Sequence, residues 1–144
     1  MGLTEPEGQV QQIIADRCRA VSEGNAMGIV KDVAENAVIF DVVGSMFAVG
    51  KSAALERAQQ WLASYNGPPL WEVEGLHVVA GDSVAFCHCI SRVRGTLKTQ
   101  VEVDMWFRTT LGLKKTDDQW QIVHDHSSDP FDPSTGLATM EKPD

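Results

Sequence analysis

No apolar stretch of this chain reaches the roughly 18 residues that a membrane-crossing helix needs. Its first residues, Met1-Gly2-Leu3-Thr4-Glu5-Pro6-Glu7-Gly8, lack both the basic start and the apolar run of a secretory signal. Cytoplasmic residence is therefore expected. Positive charge is scarce: 12 Lys plus Arg stand against 20 Asp plus Glu, for a formal net charge of −8. Nucleic acids and anionic membranes both select cationic surfaces, so neither is expected as a partner. Cysteine is rare as well. Cys18, Cys87 and Cys89 are odd in number and follow no framework spacing, so reduced and buried thiols are expected rather than disulfides. Long linkers, repeats and low-complexity tracts are absent from residues 5–128.

What is present is an ordinary globular composition, 43% hydrophobic and 22% charged over 144 residues. That length suits one domain with a sizeable core. Val10, Ile13, Ile14, Arg17 and Val21 recur at helical spacing and stop at Gly24. Asn25 can cap a short second helix, and Ser52 a third that runs from Ala53 to Ser64. Ala37 to Val42 reads as a strand between them. After Asn66-Gly67-Pro68-Pro69 the chain is strand-like: Trp71–Val79, Ser83–Val93, then a long hairpin. Helices first and strands later predict an α+β fold with an antiparallel sheet; its strongly curved form is a cone with a cavity at the open end. One domain is expected over residues 1–133, followed by an extended tail, 134–144.

The hairpin is the most informative segment. Trp106 to Lys115 and Trp120 to Ser128 alternate around the polar turn Thr116-Asp117-Asp118-Gln119. Strict alternation puts Asp104, Trp106, Arg108 and Thr110 on one face, and Trp120, Ile122, His124 and His126 on one face of the next strand. Burying an acid, an indole and a guanidinium together is costly unless that face lines a pocket. A partly polar cavity is the expectation, with Trp106, Arg108, Trp61 and His124 as candidate ligand contacts. Asp104 could instead form a simple ion pair with Arg108. His124-x-His126 is also metal-like, but needs a third ligand such as His88 or Asp104, and no metal or other cofactor is expected. Gly50-Lys51-Ser52 lacks the earlier glycine of a phosphate loop, so a turn is expected there. Asp41 follows four apolar residues at a strand end. It reads either as a turn carboxylate or as a base at the mouth of an apolar cavity; Asp104 is the second candidate carboxylate.

The pattern Arg-x-Thr, Lys-x-Asp, then Trp-x-Ile-Val-His-x-His-x-Ser-x-Pro in Trp106–Pro130 resembles the nuclear transport factor 2-like superfamily, particularly its SnoaL-like branch. The same stretch, with Leu76 to Asp82, resembles the association domain of calcium/calmodulin-dependent kinase II. Glu23 to Val30 and Ala37 to Ser45 are similar to bacterial ketosteroid isomerase, with Asp41 on that enzyme's catalytic base. In that enzyme the base works opposite a protonated acid, a position that Asp104 matches here. Arg17 occupies the position of its oxyanion-donating tyrosine, so that role is not carried over.

The resemblance implies a homodimer through the outer sheet face and a pocket for a small apolar molecule. It implies acid/base proton transfer on an apolar carbonyl compound, with Asp41 as base, Asp104 or His126 serving the developing enolate oxygen, and Trp106 and Arg108 shaping the site. The alternative it implies is a non-catalytic binding or assembly module like the kinase association domain. Such a module would hold a carboxylate or a peptide segment through its pocket arginines.

Overall fold

A computed structural model describes residues 2–144. The helices are α1 (Glu5–Ser22), α2 (Ala26–Ile29) and α3 (Lys51–Ala63). The strands are β1 (Val33–Phe40), β2 (Ala48–Val49), β3 (Leu70–Ala80), β4 (Val84–Thr96), β5 (Glu102–Thr116) and β6 (Gln119–Ser128). They form one curved, unclosed six-stranded sheet in the order β2-β1-β6-β5-β4-β3, so the expected α+β cone is the architecture observed. The sheet is not purely antiparallel: β1 and β6 run parallel, with Ile39 opposite Asp125.

Local chemistry sets the element ends. Thr4 accepts the Glu7 amide to cap α1, and Asn25 accepts the Gly28 amide at 3.0 Å to cap α2. Ser52 does not cap α3. That helix starts two residues earlier on Gly50, whose φ of +97° brings its α-carbon against the Glu35 carbonyl. A side chain there would meet that oxygen at 2.9 Å, so the glycine is fixed by close approach. Asp117 and Asp118 take φ of +50° and +65° and close the β5–β6 hairpin, as its Asp-rich turn predicts.

Val10, Ile14 and Val21 on α1 are buried. Val10 and Ile14 meet Cys87, Leu111, Leu113, Trp120 and Ile122 from the concave sheet face in one core cluster. The Trp120 indole N–H, expected to share a face with the pocket residues, donates instead to Gln9 Oε1 at 2.8 Å. Residues after Asp129 are not an extended tail. Asp132 accepts the Gly136 amide, Phe131 bridges Ala138, and the Trp106 amide donates to the Met140 carbonyl at 2.9 Å. The tail thus turns back and covers the edge of β5 beyond the end of β6.

Candidate functional site

Between the concave sheet face and α1, α2 and α3 lies a cavity of about 810 Å³. That volume falls in the range of sites for small organic ligands. Its walls are mostly apolar: Ile29 and Val30, Ala54, Ala58 and Trp61 from α3, Trp71 from β3, and Val103, Met105 and Phe107 from β5. Four charged side chains line it, arranged as two Asp–Arg pairs.

The deeper pair is Arg17 with Asp125. Arg17 is 7% exposed, and its Nη1 donates to Asp125 Oδ2 at 2.9 Å. The guanidinium carbon lies 5.5 Å from the Trp71 ring centre, a cation–π distance. Nε is buried without an acceptor, and Nη2 has no partner among the described residues. The Trp71 indole nitrogen is likewise buried and unpaired. Buried donors are almost always satisfied in folded proteins, so this part of the wall is short of hydrogen-bond acceptors.

The outer pair is Asp41 with Arg57. Asp41 lies two residues past Ile39 on the same side of the chain, and both line the cavity. Its Oδ1 accepts the Val42 amide at 2.7 Å, and its Oδ2 accepts from Arg57 Nη2 at 3.1 Å. The same Nη2 donates to the Val43 carbonyl at 2.9 Å, tying α3 to the segment after β1. Ile39 faces Asp125 across the parallel pair. Strand spacing and rise then put the Asp41 and Asp125 α-carbons about 8 Å apart. Two carboxylates from neighbouring chain segments face one apolar space, each with its own guanidinium.

The other sequence-predicted residues fall elsewhere. Trp61 lines the cavity. Asp104, Trp106 and Arg108 do not; β5 presents Val103, Met105 and Phe107 inward, so the even positions face out. Asp104 is paired with Arg92 rather than Arg108, by two hydrogen bonds of 2.8 Å, and that guanidinium holds its carboxyl below the usual range. Trp106 is buried on the outer face between the cations of Arg92 and Lys142, at 4.9 and 5.8 Å. Arg108 is exposed.

On β6 a bulge explains the displacement of the histidines. Leu113 pairs with Ile122 but Gly112 with His124, which leaves Val123 as an extra residue. Ile122 therefore faces inward, as do Asp125 and Ser127, while His124 and His126 turn outward. There His124 Nδ1 bonds the Val38 carbonyl at 2.7 Å, and both imidazoles contact the Phe40 ring edge-on. Among the described residues no three His, Cys, Asp or Glu side chains are grouped to hold a metal.

The sequence reading thus missed Arg17, Arg57 and Asp125 as site residues. Arg17 was legible only as an anomaly, a cation on the apolar stripe of α1. Asp125 was hidden by the bulge, because strict alternation assigns it to the face opposite Ile122.

A SnoaL-like domain matches residues 10–132 of the chain. This protein belongs to the SnoaL-like family. An NTF2-like protein of unknown function from Pseudomonas putida KT2440 superposes with a TM-score of 0.87 at 29% identity, over 99% of this chain and 100% of that one. A ketosteroid isomerase-like protein from Erwinia carotovora atroseptica SCRI1043 gives 0.73 at 17% identity, over 88% and 97%. A protein put forward as a dehydratase of the NTF2-like family, from Streptomyces avermitilis, gives 0.72 at 14% identity, over 84% and 93%. The last two are similar in fold. Among curated proteins none matches the chain in sequence. No described helix of this SnoaL-like protein is long and apolar enough to cross a membrane.

Proposed function

We propose that this SnoaL-like protein is an enzyme that binds a small, largely apolar carbonyl compound and moves a proton on it, in the manner of an isomerase, cyclase or dehydratase. The observation that carries the reading is Arg17, a buried guanidinium at an apolar cavity with donors left unpaired. Such donors suit an oxygen on which negative charge develops. Asp41 Oδ takes the proton from the carbon next to the carbonyl. The electron pair of that C–H bond forms the carbon–carbon double bond, and the carbonyl electrons move to the oxygen held by Arg17. Where the substrate carries a β,γ double bond, the enolate is a dienolate, and returning the proton to its γ-carbon shifts that double bond to the α,β position and completes an isomerisation. Asp125 keeps Arg17 in place through the 2.9 Å ion pair. The oxygen-binding role expected of Asp104 or His126 passes to Arg17 because both of those side chains lie outside the cavity.

The test uses 2-tetralone in D2O, with NMR following deuterium uptake beside the carbonyl. Wild-type protein should accelerate exchange, and Asp41→Asn should remove the acceleration. Unchanged exchange in that variant would sink the proton-transfer reading. The homodimer is likewise proposed through the outer sheet face, where Val79, Val84 and Phe86 are exposed. A monomer in sedimentation equilibrium at micromolar concentration would contradict it.

A further inference from the structure

We propose that the Tyr65 hydroxyl is a second oxygen-recognising donor of the cavity, so that the substrate carries another oxygen at the opposite end from the carbonyl held by Arg17. The proposal rests on the carbonyl-binding reading above and extends it to the class of substrate.

Tyr65 is the one tyrosine in the chain. It follows the end of α3, is 5% exposed, and lines the cavity. Its position is rigid. The backbone bridges Leu97, and the ring lies so close to Gly95 that a β-carbon there would meet Tyr65 ring atoms at 2.8 and 2.9 Å. Trp61 packs edge-on against it with ring centres 5.5 Å apart. A buried phenol normally finds an acceptor. Among the described residues the Tyr65 O–H donates to none, and the residue borders the cavity. Burial raises the pKa of the phenol, and a hydrogen bond from Trp61 offsets this only in part. The group therefore meets a ligand as a neutral O–H donor.

Its place along the sheet sets it apart from Arg17. Trp71, which carries Arg17 on its face, pairs with Val93 of β4. Tyr65 packs on Gly95, two residues farther along the same strand. The backbone positions on which the two donors pack are therefore offset by about 7 Å along the strand direction. Trp61, Val93 and Leu97 supply apolar surface around them. A ligand that satisfies both ends has a rigid apolar body of roughly fused-bicycle length with oxygens at its two extremities. A monofunctional ketone would leave the phenol unpaired.

The experiment compares tetralin, 2-tetralone, and the 6- and 7-hydroxy-2-tetralones as binding probes, with no turnover required. One hydroxyketone should bind wild-type protein about 5-fold or more tighter than 2-tetralone, the worth of one neutral hydrogen bond. Tyr65→Phe, which keeps the ring packing, should erase that preference while leaving tetralin affinity unchanged. Labelling with [13Cζ]tyrosine gives a single resonance, which should move with the hydroxyketone and stay near its place with tetralin. A preference that survives in Tyr65→Phe, equal shifts with tetralin, or no wild-type preference for either hydroxyketone would each overturn the proposal. Loss of deuterium exchange chemistry with the Tyr65-dependent preference intact would instead remove only the catalytic reading.

Discussion

Removing the Asp125 carboxylate tests the architecture of the site directly. Asp125→Ala strands Arg17, a guanidinium whose side chain is 8% exposed and whose one ionic partner sits at 2.9 Å. Breaking a buried pair from one side destabilises by about 3–5 kcal/mol, because the remaining charge stays desolvated. Asp125 is 17% exposed and both residues border the cavity, so some solvent reaches the pair and the lower figure applies. A loss of about 3 kcal/mol, at an m-value of about 2 kcal/mol/M, lowers the urea midpoint by about 1.5 M. Tryptophan fluorescence would follow the transition. Two controls sharpen the reasoning. The double variant Arg17→Met/Asp125→Leu removes both charges and should recover most of the loss. Benzoate, entering beside the orphaned Arg17, should restore about 2.7 kcal/mol to Asp125→Ala at a hundred times its Kd. A midpoint shift below about 0.5 M, or a double variant as unstable as the single one, would refute the assignment of Arg17 as a buried charge held by Asp125.

Burial pushes the Cys18 and Cys87 thiols up to about 11 and raises Cys89 as well; native protein at pH 8 should therefore react negligibly with Ellman's reagent and release three equivalents once unfolded. The Asp16 carboxyl is lowered to about 2, chiefly by its hydrogen bond from Lys31 and then by Gln12. Its folded pKa is below the unfolded one, so its contribution is complete above about pH 4 and fades as the pH falls toward 2. Because the pair is at the surface, Asp16→Asn should flatten that acid limb by under about 1 kcal/mol, and less in high salt. Gly50→Ala should cost about 2 kcal/mol or more, read from the thermal midpoint, since the residue has φ of +97° and a β-carbon would meet the Glu35 carbonyl at 2.9 Å.

Much of the fold was readable because it is written in short-range chemistry. The helical spacing of Val10, Ile14 and Val21, the Asn25 cap, the glycine stop at Gly24 and the Asp117-Asp118 turn each act within a few residues, and all appear in the structure. Asp41, just past the end of β1, and Trp61 on α3 follow apolar patterns that are plain in the sequence, and both border the cavity. The tail was not. Pro130, Pro133 and Gly136 suggest an extended run, yet the free amide of Trp106 on the β5 edge gives Met140 a carbonyl partner that sequence alone does not show.

The sequence by itself determined most of the helices and the long strands, and that an acidic chain without a membrane-length apolar run would have a mixed α and β pattern. Only the tertiary structure decided which polar residues share the cavity. Alternation says that Asp104, Trp106 and Arg108 lie together, and they do, but it does not say which side of the sheet the helices cover. One extra residue at Val123 then exchanges the faces of β6, sending His124 and His126 out and bringing Asp125 in. Arg17 became a site residue for the same reason. Its charge is tolerable on the apolar stripe of α1 only because a strand 108 residues away delivers a carboxylate to it, and no local pattern records a partner at that distance.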